Sequence, residues 1–394
     1  LLIQLPTWLP ETQAEINYKS YVTDTSGVSY GYTRGIAYFL FEKIQFFQDT
    51  LLVQEWSGDG LWNCSRSRGS MNSAFLENAL TGNHDGSVYA ISKNATPGPG
   101  LLRLSLPLVG CQDLDDGGFP RVAAVHQSFR IRCFLRKLDQ LVEASDGRAY
   151  PIPWNRTDFQ IKTSQNGAWQ SFSTLDRLAI GKPTITLQTR HIYTDRTNQD
   201  AMRNATLIVP FEREYDNHFT QGALDYTSTR RGGIAQVTRR LDADHPAGRM
   251  VMAWHSVPVL RANQYWRITA DLSGGQFYNN LSLIIAGRDR ESAWDSLVWS
   301  LLEQHAKEER DSGYNLSFMN WTLGDINGRF APFPRQLDGT LNFTSADRPT
   351  LLIDLTLIPI DPVTKNPNST LDVYIEGWAA LEFERGRSAM LFGN

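Results

Sequence analysis

The sequence predicts an all-β protein of two domains, and three observations support this prediction. The chain has 394 residues, whereas a single hydrophobic core stops growing at roughly 250 to 300 residues. Several segments alternate apolar and polar residues with a period of two, most clearly residues 371–383. Aromatic residues are abundant, with 11 Trp, 14 Tyr and 19 Phe, and such side chains favour β-strands.

Composition narrows the class of protein further. Charged residues make up 20% and apolar residues 41%, which is typical of a folded chain. The net charge of -4 argues against a dedicated nucleic-acid binder. No apolar run reaches the roughly 18 residues that a membrane-spanning helix needs, and no signal peptide is visible. Because the chain begins at Leu1 in an already alternating pattern, we expect further residues upstream.

The three cysteines Cys64, Cys111 and Cys133 predict reduced thiols. Their number is odd and no C-x-x-C spacing occurs, so neither a disulfide framework nor a zinc site is indicated.

The first 60 residues read as strands, with one long aromatic and aliphatic run over residues 36–47. Residues 63–100 are rich in Ser, Asn and Gly, which predicts a long surface loop. Alternating leucines from Leu102 to Leu108 then predict another strand. Residues 145–182 show no clear periodicity and read as an insertion.

A basic stripe marks the strand expected over residues 129–136. Its odd positions are apolar, and we expect them to face a core. The even positions carry Arg130, Arg132 and Arg136. Such a stripe contacts a partner or is simply a solvated face, and the sequence leaves both interpretations open. A further strand is expected from Ile185 to Tyr193, where apolar and polar residues again alternate.

In the second half, the spacing of apolar residues predicts one helix over residues 292–310. Ser292 would cap it, and one stripe would contain Trp294, Leu297, Val298, Leu301, Leu302 and His305.

Three strands are expected in the C-terminal region, over residues 340–343, 351–357 and 371–383. The turn dipeptide Asp338-Gly339 precedes the first, and Pro359 ends the second. In the last, the odd residues should face a core. The even ones, which include Asp372, Tyr374 and Glu376, should face water or a neighbour.

Few residues suggest chemistry. No nucleophile elbow, H-E-x-x-H helix or phosphate-binding glycine loop occurs, and the seven histidines are scattered, which favours structural roles. Asp113, Asp115 and Asp116 have the oxygen density of a cation loop but lack the distal Glu of an EF-hand, so a plain acidic turn is favoured. Nine N-x-S/T sequences occur, but we assign no glycan. No enzyme activity, metal site or cofactor is predicted.

Several blocks resemble the major capsid proteins of nucleocytoplasmic large DNA viruses, in the order of that family. They lie at residues 35–62, 102–136, 185–197, 241–254, 283–292 and 336–392. The last block begins with Gln336-Leu337-Asp338-Gly339-Thr340 and contains the long alternating strand. The collinear set identifies the chain as a divergent relative of the family.

The resemblance implies two consecutive eight-stranded antiparallel jelly rolls, at residues 1–208 and 209–394. The first would have a truncated first strand and loop insertions at 63–100 and 145–182. The helix at 292–310 departs from the family pattern. The implied function is structural: a major capsid protein whose homotrimers form pseudo-hexagonal capsomers in an icosahedral shell.

The implied partners are copies of the chain, neighbouring capsomers and minor capsid proteins, and the resemblance allows an internal membrane beneath the shell. The implied location is the virion, after assembly in the host cytoplasm. We select as contact candidates Arg130, Arg132, Arg136, Trp294, Arg385 and Arg387.

Two alternatives stay open from the sequence. One is a secreted carbohydrate-binding or glycoside-processing jelly-roll protein, which would need exposed Trp residues and paired carboxylates. Glu382 and Glu384 share a strand face, although their spacing favours a solvated edge. The other is a minor capsid or scaffolding protein of the same fold.

Overall fold

The computed structural model describes most of the chain, with gaps. The described residues are 1–5, 22–23, 29–66, 80–82, 102–111, 118–144, 146–151, 160–162, 169–171, 182–224, 235–268, 277–303, 316–321, 339–343, 349–355 and 368–391. Asp113, Asp115 and Asp116, proposed above as a weak cation loop, lie outside them. No helix in these ranges has the length and hydropathy needed to cross a membrane.

Strands dominate the described residues, which confirms the all-β class. In chain order they are β1 (Leu2–Gln4), β2 (Val22–Thr23), β3 (Ser29–Tyr32), β4 (Phe41–Gln48), β5 (Leu51–Ser57), β6 (Leu102–Arg103), β7 (Phe129–Leu135), β8 (Val142–Ala144), β9 (Gln160–Lys162), β10 (Trp169–Ser171), β11 (Thr184–Thr186), β12 (Leu207–Phe219), β13 (Ala235–Arg240), β14 (Pro246–Ser256), β15 (Tyr278–Ile285), β16 (Arg288–Asp295), β17 (Leu316–Asn320), β18 (Leu341–Asn342), β19 (Thr350–Leu355), β20 (Ser369–Glu384) and β21 (Arg387–Met390).

The helices are short. The α-helices are α1 (Ile36–Phe39), α2 (Gly58–Arg66), α3 (Arg196–Asn204) and α4 (Val257–Arg261). Single 3-10 turns occur at Arg121–Ala124, Leu138–Gln140 and Gln221–Leu224, and a π-helical turn at Val298–Leu302. Helix α1 replaces the first part of the strand run expected over residues 36–47, and α2 extends into the segment expected to be a loop.

Every strand pair in the described residues is antiparallel. The first half contributes three-stranded sheets ordered β11-β1-β6, β2-β3-β8 and β5-β4-β7, together with the pair β10-β9. The second half contributes a sheet ordered β12-β20-β14-β17, to which β18 and β21 also pair, and a four-stranded sheet ordered β13-β19-β15-β16. This arrangement of stacked antiparallel sheets agrees with the expected architecture of packed β-sandwiches.

Two large hydrophobic cores form. The first is built mainly from residues 3–144, and the second from residues 224–375. Strand β20 contributes to both: Leu371, Val373 and Ile375 lie in the second core, whereas Ala379, Leu381 and Phe383 lie in the first. The change of core occurs at Gly377. There, an added Cβ would come within 3.0 Å of the Tyr215 ring and 3.1 Å of His245 Cβ. The proposed domain boundary at 208/209 remains a prediction, since β12 and β20 serve both cores.

Two strand predictions differ from the structure. The strand expected from Ile185 to Tyr193 is confined to Thr184–Thr186, and the next nine residues form neither strand nor helix. Alternation of apolar and polar residues does not by itself provide a neighbouring strand for hydrogen bonding. In β20, the even face was expected to meet water or a neighbour. It is buried inside the molecule instead, because the first half packs against it.

The helix expected at 292–310 also differs. Residues up to Asp295 belong to β16, which pairs with β15 through a turn at Ala286-Gly287, where both residues have positive φ. Helical structure begins only after Asp295, and the described part ends at Glu303. Pairing with β15 keeps these residues in a strand, and the local spacing of apolar residues could not predict that pairing.

Candidate functional site

The contact candidates of β7 divide into an exposed pair and a buried arginine. Arg130 and Arg132 are exposed and lie over the Phe47 ring, with their guanidinium carbons 4.9 Å and 5.3 Å from its centroid. The alternation expected for this strand is confirmed over residues 129–133, where Phe129, Ile131 and Cys133 are half-buried. Strand β7 therefore presents a two-arginine face to solvent.

Arg136 was expected on the same face and is not there. It follows the end of β7, and its backbone N–H donates to the Leu40 carbonyl at 2.9 Å, so the strand alternation no longer sets its direction. Its guanidinium forms an ion pair with Asp59 and lies 4.6 Å from the Tyr265 ring centroid. Arg136 is a link between the two halves rather than an outer contact.

Trp294 lies on an exposed apolar ridge. Its side chain is 52% exposed, and the ridge continues along the helical turn with Leu297, Leu301 and Leu302, while Trp299 points inward. Several large apolar side chains exposed along one segment are typical of an interaction site. Most described residues of the expected apolar stripe are thus on the surface.

The C-terminal candidates lie on a tight hairpin. Arg385 and Gly386 have positive φ values of 49° and 79°, which is the conformation of a two-residue hairpin turn. Both Arg385 and Arg387 are exposed. The hairpin is held to the first half through Ser388, whose carbonyl accepts from Gln48 Nε2 at 2.5 Å and from Gln127 Nε2 at 3.1 Å.

The contact between the two halves that is formed by α2, β12 and β20, called the joint below, contains a cluster of carboxylates. The sequence interpretation missed this cluster. Helix α2 begins over the face of the sheet formed by β12 and β20, where Glu214 accepts from the Ser57 backbone N–H at 3.2 Å. A Cβ at Gly60 would overlap the Glu214 carboxylate, so a larger residue at this position would require the Glu214 side chain to move. An anion at a helix N-terminus is favoured by the helix dipole.

Charges within this joint are partly balanced. Arg249 binds Glu376 with two hydrogen bonds, 2.8 Å from Nε to Oε2 and 3.1 Å from Nη2 to Oε1, and both side chains are buried. Asp372 accepts from His218 and lies 3.8 Å from His255 Nε2. The only sequence signal for this cluster was the set of alternating acidic residues in β12 and β20, which also fits a solvated face.

The joint shifts several protonation equilibria. Burial raises the pKa of Glu214 well above its usual range, and the neighbouring Asp216 adds to the effect. Desolvation in the joint, with the charges of Asp372 and Asp59, raises the pKa of Asp216 to about 6. The hydrogen bond to Asp372 raises the pKa of His218. All three shifts favour the protonated form.

A second link docks residues 262–266 into the first half. Asn263 has a positive φ of 60°, and its side-chain amide donates to the carbonyls of Asp139 and Val142, each at 2.7 Å. Trp266 Nε1 donates to Glu143 at 3.1 Å, and burial raises the pKa of that carboxyl to about 7. The two halves are thus joined by specific polar contacts.

In the ranges that the structure describes, no group of three or more His, Cys, Asp or Glu residues is placed to hold a metal ion. His245 and His255 are buried, and His245 hydrogen-bonds Tyr215. The surface features are the arginine face of β7, the Trp294 ridge and the C-terminal hairpin, which the structure places on different elements.

Comparison with known proteins identifies the fold. No protein-family model and no curated protein sequence matches the chain. The PBCV-1 virus capsid structure matches 95% of this chain and 87% of that chain, with a TM-score of 0.66 and 13% identity. PBCV-1 VP54, fitted into a reconstruction of the virophage Sputnik, matches 93% and 89%, with a TM-score of 0.61 and 12% identity.

A third solved structure is the Faustovirus major capsid protein. It matches 92% of this chain and 76% of that chain, with a TM-score of 0.50 and 8% identity. The chain therefore has the double jelly-roll fold of these capsid proteins, which confirms the fold expected from the resemblance.

Proposed function

We propose that this protein is a major capsid protein that trimerises into pseudo-hexagonal capsomers and tiles the icosahedral shell of a large DNA virus. The observation that carries the proposal is the match to the PBCV-1 virus capsid structure over 95% of the chain. This likeness extends through both cores and the joint, so it includes the whole architecture rather than one sandwich. The role is structural and not enzymatic.

The geometry of a double sandwich suits this role. Three chains with two similar sandwiches each approximate sixfold symmetry, which allows hexagonal packing from one protein. The polar joint of α2, β12 and β20 fixes the two halves relative to each other, as a rigid tile requires. The exposed Trp294 ridge and C-terminal hairpin supply surface for contacts with copies of the chain and with minor capsid proteins. We place the protein in the virion after assembly in the host cytoplasm, with an internal membrane as a further partner.

The carbohydrate-binding alternative receives no support from the described surface. Of the tryptophans whose burial the structure describes, only Trp294 is more than about a third exposed, and a sugar-binding face normally needs a platform of several aromatic rings. Glu382 and Glu384 lie two residues apart on β20, and Glu384 is paired with Arg385.

Light scattering and electron microscopy of the purified protein test the proposal. A particle of three times 44.5 kDa with a hexagonal outline is the expected result. A stable monomer at micromolar concentration would contradict it. To separate a major from a minor shell protein, the chain is expressed alone: assembly into closed shells or hexagonal sheets supports the major role.

A further inference from the structure

A surface segment without any buried side chain connects the two halves. Residues 187–204 lie between β11 and β12, and none of them is buried. Residues 187–193 are called the arm below, and they form neither strand nor helix. Within the described chain, the arm makes no hydrogen bond outside itself, although Thr189 Oγ1 lies 2.9 Å from His191 Nε2. The arm thus lies on the surface of the single copy.

The arm is apolar although it is exposed. Leu187 is 48% exposed, Ile192 72% and Tyr193 86%. The Tyr193 ring stacks on the His191 ring, with 6.3 Å between their centroids, so its position is set within the arm. Single exposed apolar side chains are normal on a protein surface, whereas several on one short segment are typical of an interaction site. We therefore expect another molecule to cover the arm.

The Trp294 ridge, formed by Trp294, Leu297, Leu301 and Leu302, is a second exposed apolar surface. It lies in the other half of the molecule, on β16 and the helical turn that follows. In the described sheet β13-β19-β15-β16, strand β16 has a neighbour on one side only. All of its residues except Glu291 are exposed. The ridge is therefore open to a partner.

We propose that the arm of one copy packs on the Trp294 ridge of the next copy in the ring. Ile192 and Tyr193 lie against Trp294 and Leu297 in this arrangement, so large apolar side chains fill the centre of the contact. Aromatic side chains at the centre of an interface carry much of its binding energy. Polar and charged residues of the arm and of β16 form the rim, as is usual for protein interfaces. This inference rests on the proposed trimer and names the contact that closes it.

A second copy of the chain fits the arm better than a different protein. The arm and the ridge are separate surfaces of one chain, so their contact is heterologous, and a heterologous contact that closes produces a ring. Each copy supplies one arm and one ridge. Three contacts in a trimer therefore cover every arm and every ridge, whereas a different protein would have to be present in equal number to do the same.

Polar substitutions test the contact. We expect the I192S/Y193S variant of the arm and the W294S/L297S variant of the ridge each to raise the protein concentration needed for half-assembly of the trimer at least about 100-fold. Both variants remove apolar side chains from the centre of every contact in the ring. Sedimentation at several protein concentrations measures this value. If the arm variant dissociates and the ridge variant does not, the arm binds another surface and the pairing is wrong.

Tyr150→Ser provides the matched control. Tyr150 is a 68% exposed tyrosine that belongs to neither the arm nor the ridge. This variant should leave the concentration for half-assembly unchanged, and loss of the trimer in it would overturn the specific pairing. All of the substituted side chains are at least half exposed in the single copy, so each variant should keep its fold, which circular dichroism confirms.

Chemical cross-linking locates the contact independently of affinity. Gln188→Cys places a thiol on the arm and Ala293→Cys places one beside Trp294, and both positions are exposed. Cys111→Ser removes the exposed natural thiol. With a short bis-maleimide, the variant that carries both new thiols should give covalent dimers and trimers on a denaturing gel. A variant that carries only one of them should run as a monomer.

Co-expression of the two single-thiol variants separates contacts between copies from contacts within one copy. One chain bears only Q188C and the other only A293C, so a bridge between the two thiols must join two chains. Mixed rings should yield covalent dimers and no covalent trimers. If the mixed protein is a trimer in sedimentation but gives no covalent dimer, the arm does not lie on the ridge of the next copy.

Failure of the inference differs from failure of the proposed function. A wild-type chain that is not a trimer contradicts the proposed function. A wild-type trimer that survives I192S/Y193S overturns only the inference. If that variant keeps the trimer but no longer assembles into hexagonal sheets, the arm joins neighbouring capsomers and the contact within the ring is wrong.

Discussion

The two faces of β20 differ in chemistry although both are buried. The odd face is apolar and fills first one core and then the other, with Leu371 and Phe383 near its two ends. The even face carries Asp372, Tyr374 and Glu376 and packs against α2 and its surroundings. Alternation in a sequence therefore distinguishes the two faces of a strand but does not show which of them is exposed to solvent. Each face is stabilised by a different kind of interaction, and substitutions can distinguish them.

The largest effect is expected on the odd face. Phe383→Ala should lower the free energy of unfolding by about 3–5 kcal/mol, because it leaves a cavity beside Phe119, whose ring centroid lies 5.5 Å away. Urea denaturation measures the change. Glu382→Ala, at the next residue and on the other face, is the control and should change stability by less than about 0.5 kcal/mol. Equal losses in both variants would contradict the assignment of faces.

A smaller and conditional effect is expected on the even face. Arg249→Met should cost about 3 kcal/mol, since it leaves the Glu376 carboxylate buried without its guanidinium partner. The double variant R249M/E376L removes both charges and should regain most of that stability. A double variant as unstable as the single one would show that the pair contributes through specific geometry rather than by mutual compensation.

The smallest effect is a pH dependence of the joint. The pKa of Asp216 is raised to about 6 from a usual value of 3.8, so the folded state binds this proton more tightly than the unfolded chain. The contribution of Asp216 to the free energy of unfolding is therefore largest below pH 4. It decreases as the pH rises from about 4 to about 6, and it is constant above that. Because Asp216 retains contact with solvent, the change should be small.

Asp216→Asn is the variant for this measurement. Urea midpoints at pH 4, 5, 6 and 7 should show a smaller decline with pH in the variant than in the wild type. An identical decline in both proteins would show that Asp216 does not sense the joint.

The sequence was sufficient for the class of fold and for most strands with strict alternation. Residues 371–383 were placed correctly because period two is a local property, and the alternation of Phe129, Ile131 and Cys133 followed for the same reason. The positions of Arg136 and Trp294 were not predictable locally. Arg136 is directed by Asp59, 77 residues earlier, and the segment of Trp294 by its ladder with β15.

The buried carboxylates illustrate the same limit. Acidic residues in β12 and β20 predict a solvent-exposed face when only one sheet is considered. They are buried because α2 approaches this face at Gly60. The individual acidic residues can be identified in the sequence. That they lie together in one site is visible only in the tertiary structure.

The passage of β20 from one core to the other at Gly377 has a consequence for synthesis. Ribosomes release the N-terminal half first, and many domains fold as they emerge. Here the first core still lacks Ala379, Leu381 and Phe383 when its own strands have all been translated. The first core therefore stays incomplete, with apolar surface uncovered, until β20 has been translated. The N-terminal half thus cannot complete its core independently of the second half.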